Sequence, residues 1–271
     1  MNESKTDPAL VPDETRAVVR EHYGAVAART TSCCGPAAVT NAATLGYSAD
    51  EASAVPEGAD LGLGCGNPTA MASLRAGETV LDLGAGGGVD CFLAAHQVGP
   101  TGKVIGVDMT AEMVTLARTN AAKVKATNVE FRLGEIEHLP VADGTVDVIL
   151  SNCVINLSPE KSAVFGEAFR VLRAGGRLAI SDVVAIAPIP DELRTQAAAL
   201  VGCIGGAAHI DDVRSMLRDA GFADVEVTVS PRSAEVVSGW MPGIERYVAS
   251  ATIEARKPGA PAGCCGPSSK A

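Results

Sequence analysis

Aromatic side chains are scarce, at 3% of the 271 residues. The core must therefore be built from small aliphatic groups, which a hydrophobic fraction of 47% and a high alanine and glycine content supply. That composition suits layered α/β packing in one sizeable domain with additions. Positive charge is also short: 22 Lys and Arg stand against 32 Asp and Glu, for a formal net charge of −10. This argues against nucleic acid or an anionic membrane as partner. No apolar run approaches the ~20 residues that span a bilayer. Met1 to Asp13 is polar, contains proline and has no apolar h-region; no secretory signal is expected, and the cytoplasm is the default location. A C-x-x-C motif is missing as well, so neither a zinc ribbon nor a thioredoxin-like motif is supported. Yet there are eight cysteines, at 33, 34, 65, 91, 153, 203, 264 and 265. In a reducing compartment, structural disulfides are uncommon, so those thiols call for another explanation.

The stretch Val80-Leu81-Asp82-Leu83-Gly84-Ala85-Gly86-Gly87-Gly88-Val89-Asp90 organises the chain. A short apolar run ends in an acid, then a glycine turn leads into a helix pattern. Glycine lets backbone turn sharply and approach a ligand closely. A second strand pattern, Val104 to Val107, ends in Asp108, 20 residues beyond Gly88, and an acid at that spacing can accept both hydroxyls of a ribose. A pyrophosphate would be repelled by Asp82 just before the turn, whereas the amino group of a methionine moiety would be attracted. The pattern therefore favours S-adenosylmethionine over NAD, and its Asp-Leu-Gly-x-Gly-x-Gly form resembles the class I methyltransferases. The cofactor contacts expected are Asp82, Gly84, Gly86, Gly88, Asp108, Met109, Glu135, Ile136 and Asn152.

Periodicity predicts strands at 79–83, 103–108, 129–133, 146–151 and 176–184, alternating with helices near 88–98, 111–126 and 159–173. Thr110 and Ser158 are plausible caps. Asp13 to Arg29 reads as an amphipathic helix with Val18, Val19, His22, Tyr23 and Val26 on one face. Asp191 to Leu200 and His209 to Ala220 read as further helices, the second closed by Gly221. Val225 to Val229 and Tyr247 to Arg256 read as a closing antiparallel pair. The fold class is thus α/β: a Rossmann-like, seven-stranded sheet of class I methyltransferase type with helices on both faces, an N-terminal helical arm and a flexible C-terminal tail. The division expected is 1–66 for the arm and cysteine loops, 67–185 for the cofactor-binding core, 186–256 for a substrate-binding segment and closing strands, and 257–271 for the tail.

Cys91 falls inside an apolar helix and reads as core. Cys65, Cys153 and Cys203 lie instead on three separate loops that can converge on the rim of the cofactor edge. No histidine or acid announces itself there as the base that an oxygen or nitrogen methylase wants. Thiolates are soft ligands and select soft ions. Trivalent arsenic held by three thiolates keeps a lone pair, which can attack a sulfonium methyl group with no base.

Over residues 14–257 the chain resembles the bacterial arsenite S-adenosylmethionine methyltransferases. The resemblance is carried by Tyr23-Gly24, Leu61-Gly62-Leu63-Gly64-Cys65-Gly66-Asn67-Pro68, Val80 to Gly84, Gly134 to Pro140, Ser151-Asn152-Cys153-Val154-Ile155-Asn156-Leu157 and Cys203-Ile204-Gly205-Gly206-Ala207. It implies four functional cysteines: Cys65, Cys153, Cys203 and one member of the Cys33-Cys34 doublet. Cys153 and Cys203 correspond to the core arsenic-binding pair. The family's turnover disulfide, reduced by thioredoxin or glutathione, would join Cys65 to Cys33 or Cys34. The substrate implied is arsenite or its thiol conjugates. Three other readings stand beside this one. The chain would methylate a small organic acceptor such as a quinone ring, or be a thiol-rich metalloid-binding protein on a methyltransferase scaffold, or hold zinc with four thiolates. The tetrapeptide Cys-Cys-Gly-Pro occurs at both 33–36 and 264–267, and a metalloid handoff is one functional reason for thiols in a tail.

Overall fold

The computed structural model describes residues 12–28, 46–48, 51, 55–193, 203–241 and 243–259. The expectations at Cys33, Cys34 and the 264–267 repeat, and most of the helix predicted from Asp191, lie outside these residues. Seven strands form one sheet: β1 (Thr79–Leu83), β2 (Lys103–Asp108), β3 (Val129–Leu133), β4 (Val146–Asn152), β5 (Leu172–Ala185), β6 (Ala223–Val229) and β7 (Val248–Arg256). Their order is β3-β2-β1-β4-β5-β7-β6. The β1–β5 pairings are parallel, and β7 runs antiparallel to both β5 and β6. The chain order reverses at β1, so the crevice at the carboxyl ends of β1 and β4 is where an open α/β sheet places its ligand.

Among the described residues, the helices that accompany this sheet include α1 (Pro12–Ala27), α2 (Pro68–Ala72), α3 (Val89–Val98), α4 (Ala111–Val124), α5 (Lys161–Val171), α6 (Ile210–Asp219) and α7 (Ser233–Ser238). Successive strand side chains point to opposite faces, and β4 shows what that does here. Ile149 joins one buried cluster with Phe165 and Val164 of α5 and Leu217 of α6. Its neighbours Val148 and Leu150 join another with Cys91 and Phe92 of α3 and Val114 and Ala117 of α4. Both faces are therefore covered, as the near-continuous apolar runs require. Phe165 is the largest wholly buried side chain; truncating it to Ala would cost about 3–5 kcal/mol.

Several local expectations need revision. β5 starts four residues before the predicted 176, because the chain is already extended at Leu172 and a register shift opposite Val146 and Val148 absorbs the Gly175-Gly176 step. Thr110 does not cap α4 with its side chain; its own amide instead donates to Asp108 Oδ1 at 2.8 Å. Nor does Ser158 cap α5: its Oγ accepts the Glu160 amide at 3.1 Å, but the helix starts at Lys161, two residues after the predicted 159, with Glu160 at the cap position. On α1, Val19 and Val26 are buried as predicted, but Val18 is 56% exposed, and the position that turns inward is Arg16.

Candidate active site

A cavity of about 280 Å³ opens at the carboxyl ends of β1, β2 and β4. One wall is the glycine turn. Gly84 has φ +70° and Gly86 φ +51°, left-handed values that favour glycine. A Cβ on Gly84 would strike Val154, whereas one on Gly86 would meet nothing within 4 Å. Gly86 lines the cavity, so a side chain there would occupy ligand space. Gly88 does not face the cavity among the described lining residues. It caps α3 at φ +98°, and a Cβ would collide with Phe92 and Phe131; its role is close helix–strand packing.

At one end stands Asp108, whose Oδ2 accepts the Gly86 amide at 2.9 Å while Oδ1 takes that of Thr110. Burial raises its pKa. A carboxylate has about four lone-pair sites, so these two bonds orient Asp108 and leave acceptor capacity for a diol. Met109 and Ile136, expected to contact the cofactor, line the cavity. Glu135 does not; its carboxylate faces α1, 3.5 Å from Arg20 and 3.8 Å from Arg16. Its neighbour Glu137 takes the lining position. Buried Glu137 holds Arg16 at 3.3 Å and Ser158 Oγ at 2.6 Å. Arg16 also pairs with Glu160 and Asp13, and this cluster pins α1, with Val19 and Tyr23, along the cavity edge.

At the other end is a polar hub invisible in sequence. Asn152 ends β4. Its Nδ2 donates to the Gly66 carbonyl at 2.8 Å, to Tyr47 Oη at 3.1 Å and to Asp90 Oδ2 at 3.2 Å. Its Oδ1 accepts the Cys65 amide at 3.0 Å. Tyr47 Oη donates to Asp90 Oδ1 at 2.8 Å. Asp82 lines the cavity, and its Oδ2 accepts the Cys91 thiol at 3.2 Å. Cys91 is thus buried core, as predicted, with one polar partner. Burial, and then the charge of Asp90, raise Asp82 well above the usual carboxylate range. Burial also lifts Asp90, to about 6, against hydrogen bonds from Tyr47, Asn152 and Thr69 that lower it.

Directly behind Asn152 lie the thiols. Cys65 and Cys153 are joined by a disulfide with Cα atoms 5.8 Å apart. The pairing of Cys65 with Cys33 or Cys34 implied by resemblance is not the one in this structure. Cys65 and Cys153 share an apolar nest with Val183, Ile189, Ile204 and Met241. Cys153 has φ +58°, uncommon for a residue with a side chain, and its amide donates to the Ser181 carbonyl at 2.8 Å. Cys203 arrives from its own turn, with Sγ 3.3 Å from the Cys153 carbonyl oxygen. Three cysteines from distant loops therefore meet, as expected. Beside them Asp182 is 1% exposed; an oxygen of Asp182 and the two bonded sulfurs all lie within 4.8 Å of one another. Among the described residues this is two sulfurs and a carboxylate, not a four-thiolate zinc site. No described helix is long and apolar enough to cross a membrane.

Missed at the sequence level were Tyr47, Asp90, Arg16, Glu137 and Asp182. Asp90 carried a faint signal, an acid within an otherwise apolar helix start.

Known proteins resemble the chain in sequence and in fold. A family model described as a methyltransferase domain matches residues 74–221. An arsenite methyltransferase of Halobacterium salinarum is 53% identical, over 91% of this chain and 68% of its own length. Those of Aquipseudomonas alcaligenes and Homo sapiens are 46% and 39% identical, over 59% and 53% of this chain. The chain spans less than half the length of these last two. The crystal structure of an arsenic(III) S-adenosylmethionine methyltransferase from Chlamydomonas reinhardtii superposes with a TM-score of 0.60 at 33% identity, covering 84% of this chain and 76% of that one. The chain belongs to the arsenite methyltransferases, a family of enzymes dependent on S-adenosylmethionine.

Proposed function

We propose that arsenite is methylated here while held by the thiolates of Cys65, Cys153 and Cys203. The observation that carries the reading is the meeting of these three cysteines, from loops 50 and 88 residues apart in sequence, with Cys153 in the wall of the cofactor cavity. The open acceptor sites of Asp108 would take the ribose diol, Gly86 would leave room for the nucleoside, and Asp82 and Asp90 would face the methionine half. When bound, the cofactor supplies an electrophilic methyl group, to which the arsenic lone pair bonds as the carbon–sulfur bond breaks. The thiolates hold that lone pair toward the cavity and keep arsenic out of water in the nest around Ile189 and Ile204. Methylation leaves arsenic formally at +5. It regains two electrons when two thiolates depart joined as a disulfide, and the Cys65–Cys153 bond matches that state. Reduction by thioredoxin or glutathione, in the cytoplasm, would return both thiols. Cys33 or Cys34 would act as a further thiol in exchange, and Cys264 and Cys265 as a handoff for incoming metalloid.

The organic-acceptor reading wants a base; the described lining offers carboxylates, Asp82, Asp90 and Asp108 among them, but no histidine. Speciation of arsenic products from the protein with arsenite, S-adenosylmethionine and a thiol reductant tests the choice. Methylated arsenic from the native sequence, and none from Cys153→Ser or Cys203→Ser, is the expected result. Equal product from both variants would move the reaction away from these thiols.

A further inference from the structure

Asp90 is 6% exposed, at the start of α3, and lines the cavity. The groups that act on it most strongly are the hydroxyl of Tyr47, the amide of Asn152, the hydroxyl of Thr69 and the carboxylates of Glu51 and Asp82. None of these is a cation. A buried carboxylate with neutral donors and acidic neighbours is an incomplete electrostatic arrangement, because taking a charge out of water is costly until an opposite charge joins it. Of the two acids, Asp90 is the one held by a pair of neutral donors, Tyr47 Oη at 2.8 Å and Asn152 Nδ2 at 3.2 Å, bonds that favour its charged form, so the site is built to carry its negative charge on Asp90.

The position of that charge is fixed by Asn152, which touches Asp90 with its Nδ2 and the Cys65 backbone with its Oδ1. Asp90 therefore stands one side chain from the thiol end of the cavity, while Asp108 marks the ribose end. This placement rests on the reading above, in which the cavity takes S-adenosylmethionine with its methyl directed at the thiols. The sulfonium then belongs at the Asp90 end. Methyl transfer converts that sulfonium to a neutral thioether. The substrate form of the ligand carries one positive charge more than the product form, and the two are otherwise nearly the same shape.

We infer that Asp90, held between Tyr47 and Asn152, is the residue by which this site prefers the sulfonium of S-adenosylmethionine over the neutral thioether of S-adenosylhomocysteine. The charge attracts the incoming cofactor and loses its partner when the methyl group leaves, which favours product release. A residue needed only to hold Asn152 in place would affect both ligands alike. The preference ratio separates the two roles.

The test is calorimetric titration of the full chain with each ligand, without arsenite, for the native sequence and for Asp90→Asn. Asparagine keeps the shape and can still accept from Tyr47. The expected result is a loss of about tenfold in affinity for S-adenosylmethionine, with a change of less than about threefold for S-adenosylhomocysteine, the scale of one partly screened charge pair. Parallel losses for both ligands, or no change in either, would overturn the assignment. Should Asp90→Asn not fold, the native sequence carries the same test. Its preference ratio should fall severalfold between pH 7.5 and pH 5.5, and a constant ratio would overturn the inference. A native chain that binds neither ligand removes the cofactor reading and this inference with it; binding with a misplaced preference removes the inference alone.

Discussion

The two ends of the cavity are built by opposite means. The cofactor end is local and backbone-made: the turn from Gly84 to Gly88 and the two amides on Asp108 come from adjacent strands, β1 and β2. The thiol end is assembled from far apart, with Cys65, Cys153 and Cys203 seated in an apolar nest and Cys65 tied by its carbonyl to Ser250 Oγ at 2.9 Å. Polar donors and acids mark the first region; soft sulfur in hydrocarbon, with Asp182 beside it, marks the second. A charged, ribose-bearing cofactor and a soft metalloid need such different surroundings that one loop cannot supply both. Asn152 is the side chain that touches both.

The comparison breaks most visibly at Gly86. Gly86→Val puts a β-branched side chain at φ +51° and into open cavity space. Affinity for S-adenosylmethionine should fall at least about 100-fold, the scale of a few kcal/mol of overpacking. Arsenite binding to the reduced thiols, followed by arsenic content after gel filtration, should remain unchanged. A simultaneous loss of arsenite would show that the two ends do not function separately.

Asn152→Ala is the converse, because it should injure both. It strips a partner from Asp90, Tyr47 and the Cys65 amide at once. A lost hydrogen bond to a charged group costs about 1.5–3 kcal/mol, so kcat/KM should drop about 10- to 100-fold, with weaker binding of cofactor and arsenite alike. An effect on one ligand only would mean that the hub serves one end.

Arg16→Ala sharpens the contrast at the cofactor end. It leaves buried Glu137 without its guanidinium and frees α1 from Glu160. The KM for S-adenosylmethionine should rise about three- to tenfold, in keeping with one partly buried ion pair. Arsenite stoichiometry should not move, since α1 lines the cavity and not the nest.

How much of this was legible in the sequence follows from the same contrast. Local construction writes itself into contiguous residues. The strand–glycine–helix pattern and the spacing to Asp108 gave the cofactor end, and apolar runs bounded by turn residues gave all seven strands. The thiols were visible as chemistry, because cysteines on glycine-rich loops have no packing reason to be there, but not as geometry. Nothing in spacing says that Cys65 meets Cys153. Tyr47 and Asp90 are 43 residues apart, and Asp90 and Asn152 are 62 apart; a hub joined across three elements leaves no periodic trace. Arg16 was hidden for another reason: an arginine on a polar helix reads as solvated, and only the acids of the 134–140 and 158–160 segments explain its burial.

The smallest effect comes from two buried acids, Asp90 in the hub around Asn152 and Asp182 beside the thiols, both raised to about 6 by burial. At the thiol end Asp182 accepts the amides of Ile155 and Val183 and the side chain of Asn156, bonds that lower its pKa less than burial raises it. A carboxyl raised above its unfolded value binds its proton more tightly in the folded chain, so stability is greatest at low pH and is lost as pH rises through the folded pKa. Between pH 5.5 and 7.5 each acid should therefore remove about 1 kcal/mol of unfolding free energy, measured from denaturant midpoints. Asp182→Asn should flatten its share of that slope with or without cofactor. Asp90 should behave differently, because a bound sulfonium holds its charged form: saturating S-adenosylmethionine should erase the Asp90 share and leave that of Asp182. If the cofactor flattens both shares equally, the ends are electrostatically one site.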